Sequence, residues 1–512
     1  MRQLSLLTLA GLLLCAPACS SSDEDPPGKA APDAPLRLTT EATLMPSLVR
    51  LDPADTRSPA VPEDRAAMLK EGFGEWMDGP AEPFQTKAPP GVTPPAVGAA
   101  PKRLLRFVHM PDLQLADDES PTRLCSFDAP GLFSPAFRPQ DTNICHMLNA
   151  AVKSVNELHS IDPIDFLILG GDNADSAQEN EVNWVLSILS GAESVECDSG
   201  DNDDPRKGPN NDGKDAFKAP GLDVPWKWVT GNHDILVQGN LPVSPAKNLE
   251  AIGATSAAGT RDWSQPGGPV VKGDVIADPQ RRLLDRAEVM SKVAADGDGH
   301  GLGSAQVQSG KAIYTFDVPG TGLRFLVLDT ASETGGSDGL LRQGDVDTVI
   351  KPALDTAVAD GKIVILNSHH AVASMGDGTG LGGKQQPDAV LESAWLSFLS
   401  GYPNVRFSMV GHSHANKVRF LETTAGVGYW EVMTSALADF PHQLRILEIW
   451  DQDNGFLMMR ATNVDFATYG DTVAKEGRTL GTLDFVSGWG DGEGSGAVED
   501  RNVEIWIEKP AP

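Results

Sequence analysis

The chain has few cysteines, a shortage of positive charge and almost no long apolar run. Five cysteines occur in 512 residues, and none of their spacings is that of a zinc-binding thiolate set. Lysine and arginine total 41 against 71 aspartates and glutamates, a formal net charge of -30. Such a surface is not drawn to nucleic acid or anionic lipid at long range, so no specific nucleic-acid binding is expected. A phosphate substrate stays open, because bound dications reverse the local field. Beyond residue 14 no stretch is long and apolar enough to span a membrane. There is no internal repeat. The Asp-rich runs 201–215 and 296–298 lack the spacing of a calcium loop and read as solvated loop.

What is present begins with a leader. Met1-Arg2 is a minimal positive region, and 4–14 is a short apolar run. Ala16-Pro17-Ala18-Cys19-Ser20 follows, a small residue directly before cysteine. This resembles a bacterial lipoprotein cleavage site, with 1–19 as signal peptide and Cys19 carrying the lipid. Ser20, in place of Asp, resembles outer-membrane sorting. The expected location is therefore outside the cytoplasm, on the outer membrane and attached only through Cys19; the alternative is ordinary cleavage and a secreted protein. In an oxidising compartment Cys125 and Cys145, which close the shorter loop, are the expected pair, leaving an odd thiol. The alternative is three reduced, partly buried cysteines.

Fifteen of the 38 prolines fall between Pro26 and Pro101. Residues 20–101 therefore read as a Pro-rich tether and N-terminal arm, with 36–84 apolar enough to dock. The main domain is expected over 102–470, and 471–512 as an extension packed on it. Strands are expected at 104–110, 165–170, 226–230, 312–318, 323–329, 362–367 and 405–410. Helices are expected at 141–159, 177–190, 279–294, 345–358 and 389–400. Asp141 and Asp278-Pro279 mark helix starts. Late strands at 416–422, 429–434, 444–450 and 456–462 suggest a second, more antiparallel sheet. Inserts at 116–140, 199–220 and 235–310 would shape access to a site.

Five of the apolar strands end in the same kinds of residue. They lead into Asp112, Asp172, Asn232-His233-Asp234, His369-His370 and His412-Ser413-His414. Carboxyl ends of strands are where α/β sheets place their sites. A mixed carboxylate, amide and imidazole set suits Mn, Fe or Zn better than Ca or a thiolate site.

In order along the chain stand Asp112-Leu113-Gln114, Gly171-Asp172-Asn173-Ala174-Asp175, Gly231-Asn232-His233-Asp234, His369-His370 and Gly411-His412-Ser413-His414. This series resembles the calcineurin-like metallophosphoesterase superfamily over roughly Arg103 to Trp450, closest to an exported bacterial branch with long inserts. The resemblance implies a four-layer α-β-β-α sandwich of two mixed sheets, with a dimetal site at the strand ends. It implies Asp112, Gln114, Asp172 and His414 on one divalent ion, and Asp172, Asn232, His369 and His412 on the other, Asp172 bridging. His369, first after its strand, is the expected ligand, and His370 faces substrate or solvent. His233 would act beside the metals, with Asp234 orienting it. Gln114 stands where the superfamily usually has His; its neutral carbonyl oxygen would loosen that site and tilt it toward Mn²⁺ or Fe.

The implied activity is hydrolysis of phosphate mono- or diesters, on a small molecule or a lipid headgroup. Two dications about 3.5–4 Å apart would clamp the phosphoryl group and hold a bridging hydroxide. His233 would stabilise the phosphoryl group or protonate the leaving oxygen. The alternatives are a surface-displayed binding protein that keeps the fold without catalysis, and a metal-dependent hydrolase of non-phosphate esters. Asp175 reads as a cap or loop hydrogen-bonder. His146 and His159 read as structural or surface positions, and His300 has no partner pattern. His442 is the extra histidine expected near the site. Arg281 and Arg282 either reach phosphate or sit on a solvated helix face, and Trp226 and Trp228 are core.

Overall fold

In the first long strand, Lys102–Met110, the last six residues are all buried. A run buried at successive positions belongs to a strand covered on both faces. The computed structural model describes residues 33–510, apart from 53, 132, 424–426 and 491–492. The expected signal peptide, with Cys19, and the start of the expected tether lie outside the described residues. Among the described residues, no helix is long and apolar enough to cross a membrane.

Lys102–Met110 is central to one mixed sheet. On one side it pairs in parallel with Phe166–Leu169, which pairs in parallel with Trp226–Lys227. On its other side the order is Gln443–Asp451, Phe456–Asp465, Val503–Glu508 and Gln85–Lys87. The second sheet runs Tyr314–Asp317, Leu323–Val327, Ile363–Asn367, Val405–Val410, Gly428–Met433 and Lys417–Glu422. Its three internal pairings are parallel.

The two sheets meet face to face through aromatic rings. Phe107 and Phe166 of the first sheet lie edge-on to Phe325 of the second, each with centroids 5.4 Å apart. Such pairs contribute about 0.5–1.5 kcal/mol beyond their buried area. Strand alternation then sends neighbouring residues outward. Phe325 and Ile365 join the inter-sheet core, while Leu326, Val364 and Leu366 pack with Ile350, Leu354, Trp395 and Leu399. Helices Lys351–Ala359 and Glu392–Leu399 thus cover the second sheet. Helices Ile144–Ile161 and Glu179–Ser190 bury their apolar stripes with the first. The protein is an α/β sandwich of two mixed sheets with helices outside.

Several elements differ from expectation, each for a local reason. The late strands do not form a sheet of their own. Lys417–Glu422 and Gly428–Met433 join the second sheet, while Gln443–Asp451 and Phe456–Asp465 return to the first. The first sheet also takes Arg37–Leu38, Gln85–Lys87 and Val503–Glu508, strands from outside 102–470. The 226–230 strand keeps its ladder only at Trp226–Lys227; Trp228 N–H instead donates to His300 O at 3.0 Å. Asp278 caps a short turn, Pro279–Arg281, and helix Arg286–Ala295 starts behind a capping box of Asp285 and Glu288. Asp141 opens a turn, and its carboxylate pairs with Arg123 instead of capping a helix.

The disulfide joins Cys145 to Cys197, and Cys125 is free and buried. This corrects the expected pairing. The first turn of helix Ile144–Ile161 faces the segment after Ala192–Val195, so proximity in space overrides the shorter loop. The three inserts converge on Asp117-Asp118-Glu119. Lys214 Nζ lies 2.9 Å from Asp118 and 2.6 Å from Glu119, and Arg281 Nε lies 2.9 Å from Asp117. Charges this buried persist only when paired.

Candidate metal centre

Each strand end turns sharply, and the turning residues are the ones with chemistry. Asp112, Gln114, Asp172, His412 and His414 have φ of 53°, 42°, 53°, 75° and 49°. The left-handed region costs non-glycine residues on the order of 1–3 kcal/mol each, and such strain gathers at functional sites. The motif glycines answer to crowding. A Cβ at Gly231 would lie 2.1 Å from Asp172 Oδ1, and one at Gly411 would lie 2.6 Å from Asp112 Oδ2.

These turns bring the expected ligand residues together. Asp112, Asp172 and His369 place ligand atoms within 4.8 Å of one another, and so do His369, His370 and His412. His369 Nε2 is 3.0 Å from Asp172 Oδ2 and 3.9 Å from Asp112 Oδ1. His414 Nε2 is 3.4 Å from Asp112 Oδ1. Backbone N–H groups steady both carboxylates: His412 donates to Asp112 Oδ2 at 3.1 Å, and His233 to Asp172 Oδ1 at 2.8 Å.

The atoms left over fit divalent ions. Gln114 Oε1 and Asn232 Oδ1 are buried and find no hydrogen-bond partner among the described residues, and His369 Nε2 meets only the carboxylates it would share with a metal. A buried polar atom without a partner costs about 1–3 kcal/mol, and the two oxygens and the imidazole nitrogen are all good donors to a hard or borderline cation. Their other ends are fixed. Gln114 N–H donates to Asp172 O at 2.8 Å. The Asn232 amide donates to Gly239 O at 2.9 Å, which turns Oδ1 away from that contact. His369 Nδ1 faces Gly170 O at 2.8 Å, which assigns its proton to Nδ1 and a lone pair to Nε2. His370 is engaged at both nitrogens, by Thr330 Oγ1 and Ser337 O, each at 2.9 Å. Geometry therefore favours His369 over its neighbour.

The electrostatics point the same way. Burial opposes the Asp172 charge, but the imidazoles of His369, His233 and His412 outweigh it and hold the carboxyl well below the usual range. Burial likewise opposes charge on His369, yet Asp172 and Asp112 push it up to about 9. His412 goes the other way, to about 3, through burial and the neighbouring His369. The centre's carboxylates thus call for a counter-cation. A bound dication would meet that demand and displace the ring protons, leaving neutral imidazole ligands.

The expected pairing of His233 with Asp234 is not the one the structure makes. His233 Nδ1 lies 2.7 Å from Asp175 O and 3.3 Å from Asp175 Oδ1. Asp234 does not orient it. The Asp234 carboxylate accepts from the N–H groups of Gly231, Asn173 and Ala174 at 2.8, 2.9 and 3.0 Å, locking two motif loops together. Burial, with Asp172 nearby, pushes its pKa up to about 7. The orienting residue is Asp175, three positions after Asp172 in the same loop.

Other residues sort themselves. His442 Nδ1 faces Leu437 O at 2.9 Å and packs on Gly481. The turn it marks reaches the centre through Asp439 instead, whose Oδ2 is 2.7 Å from His414 Nδ1. Arg281 pairs with Asp117, and Arg282 with Glu179 and Glu288, so both are engaged in ion pairs. His300 stacks on Trp226 with centroids 3.3 Å apart. His146 pairs with Asp471, and the His159 ring accepts from Ile164 N–H. Trp226 and Trp228 are buried in the core. Gly239 was not singled out in the sequence. It has φ 64°, and a Cβ there would lie 2.3 Å from His233 Nε2 and 2.5 Å from Asn232 Nδ2.

No protein-family model matches the chain, and no curated protein matches its sequence. Among solved structures, a dimetal phosphatase from Danio rerio matches 72% of this chain and 100% of its own length, at 12% identity and a TM-score of 0.37. GAP50, described as the anchor in the inner membrane complex of Plasmodium, matches 70% of this chain and 84% of its own, at 11% identity and a TM-score of 0.27. At these scores the functional reading rests on the site and not on the likeness. What the site itself shows is an α/β chain of two mixed sheets with buried Asp and His clusters at the strand ends.

Proposed function

We propose that the protein is a metal-dependent phosphoesterase acting on phosphate mono- or diesters. The observation that carries this reading is the buried cluster of Asp112, Asp172 and His369, whose ligand atoms lie within 4.8 Å of one another, in motif loops that also carry two buried oxygens without a hydrogen-bond partner among the described residues, Gln114 Oε1 and Asn232 Oδ1. Asp112, Gln114, Asp172 and His414 would hold one divalent ion, and Asp172, Asn232, His369 and His412 the other. When bound, such ions neutralise phosphoryl charge and supply hydroxide at neutral pH.

The chain's own residues do the rest. His233 anchors Nδ1 on Asp175 and keeps Nε2 beside Gly239, where no side chain intervenes. Burial works against its protonation, but Asp172 and Asp175 raise its pKa above the usual imidazole value. As the P–O bond to the leaving group breaks, the His233 Nε2 proton passes to the departing oxygen and the phosphoryl group takes hydroxide; the proton that water released on becoming hydroxide goes to solvent, and solvent returns one to His233. Arg123, 3.0 Å from Asp175 Oδ2, holds the orienting carboxylate in place.

We place this activity outside the cytoplasm, on the strength of the leader at 1–19 and of the Cys145–Cys197 disulfide, a bond suited to oxidising compartments.

The test strips the purified chain with chelator and restores Mn²⁺, Fe²⁺, Zn²⁺ or Ca²⁺ separately. Bis-p-nitrophenyl phosphate and p-nitrophenyl phosphate are assayed side by side. Metal-restored turnover is expected; stoichiometric binding with no turnover under any metal overturns the reading. Gly239→Ala is expected to lower turnover about 10²-fold, the effect of misplacing a reacting group by about 1 Å. Steady-state kinetics on the folded variant check this, and wild-type rates would remove Gly239 from the account.

A further inference from the structure

The histidines of the centre are braced in different ways. His369 turns its Nδ1 to a backbone carbonyl, Gly170 O at 2.8 Å. His414 turns its Nδ1 to a carboxylate, Asp439 Oδ2 at 2.7 Å. Asp439 is 2% exposed, so its charge has to be met within the protein. Arg138 Nε meets it at 2.9 Å to Oδ1 and 3.1 Å to Oδ2, and Gln140 Nε2 adds a contact to Oδ1 at 3.2 Å. Both residues come from the insert that follows Asp112. The preceding turn also grips the Asp112 strand end: Leu437 N–H donates to Pro111 O at 3.3 Å and Ala438 N–H to Asp112 O at 3.0 Å. Gln140 closes the circuit by donating to Ala438 O at 3.1 Å.

We propose that Asp439 is a positioning residue that acts through His414, and that Arg138 and Gln140 make the 116–140 insert part of the metal centre. This rests on the metal-centre reading above. The carboxylate fixes the His414 proton on Nδ1 and aims Nε2 at the Asp112 side of the site, 3.4 Å from Oδ1. A carboxylate behind a ligating imidazole raises its basicity and sets its tautomer, and losing such a partner costs about 10–100-fold in metal affinity. Arg138 NH1 also lies 3.9 Å from Asp175 Oδ1, so one guanidinium stands between the supports of His414 and His233.

A purely structural role makes a different prediction. An ion pair that only staples the insert to the turn can be replaced by a neutral hydrogen-bonding pair. The experiment compares wild type, Asp439→Asn, Asp439→Glu and the double variant Arg138→Gln/Asp439→Asn, all in the full chain. Mn²⁺ binding is measured by equilibrium dialysis, with melting temperature and kcat alongside. The weaker of the two Mn²⁺ affinities is expected to fall about 10–100-fold in Asp439→Asn. It should stay low in the double variant even where the melting temperature returns to that of wild type, and Asp439→Glu should recover part of it. Wild-type affinity in Asp439→Asn overturns the proposal, as does affinity that recovers with melting temperature in the double variant. If Asp439→Asn does not fold, the double variant and Asp439→Glu decide by the same readout. Wild type that binds Mn²⁺ but turns over no phosphate ester would sink the phosphoesterase reading and leave this test intact; wild type that binds no Mn²⁺ would sink both.

Discussion

Asp172→Asn should lose bound metal and turnover together. Both oxygens of Asp172 are committed, Oδ1 to the His233 N–H at 2.8 Å and Oδ2 toward His369 Nε2 at 3.0 Å. The side chain is 1% exposed, so no solvent can take over either contact. An amide there removes the charge that two cations would share and turns an N–H donor toward one of its neighbours. Loss of an outer partner alone costs about 10–100-fold in metal affinity; a bridging ligand should exceed that. Metal content after Mn²⁺ loading and gel filtration, read with kcat, tests this. A fully loaded, active variant would remove the bridging assignment.

His233→Ala should do the opposite to the metal and the same to the rate. His233 supplies no donor to the ligand set, and its ring is held from outside by Asp175. Metal content should therefore match wild type while turnover falls by about 10²–10⁴-fold, the usual contribution of a positioned acid or base. On this proposal the group acts in its protonated form, held at Nδ1 by Asp175. Wild-type kcat should accordingly fall on the alkaline side as the ring loses its proton, and that limb should vanish in the variant. Retained activity, or an unchanged alkaline limb, would take His233 out of the chemistry.

The parts of the site legible from sequence were those set by local pattern. A buried strand followed by Gly and Asp, or by Gly and His, already states that a functional side chain leaves a sheet where its neighbours leave no room for a Cβ. Gly231 and Gly411 confirm that reason, with Asp172 and Asp112 oxygens where a side chain would be. Illegible were contacts that depend on which way a side chain points once distant loops meet. Asp234 follows His233 in the chain, but its carboxylate turns to the backbone of the Asp172 loop, and Asp175 reaches His233 from across the gap. Asp439 is hidden for the same reason: its segment stands out in the sequence through His442, yet only the fold shows which residue of the turn meets His414. Cys145 and Cys197 are separated by 52 residues, and loop length could not choose between them and a nearer pair. The edge strands Gln85–Lys87 and Arg37–Leu38 are too short and too polar to carry a period-2 signal, so their place in the first sheet comes from tertiary pairing alone.

The central claim is that one set of strand-end residues holds two divalent ions. Anomalous scattering from crystals loaded with Mn²⁺ tests it most directly. The account predicts two peaks with Asp172 between them, one beside Asp112, Gln114 and His414 and the other beside Asn232, His369 and His412. A single peak, no peak at these residues, or ligation through His370 in place of His369 would contradict it.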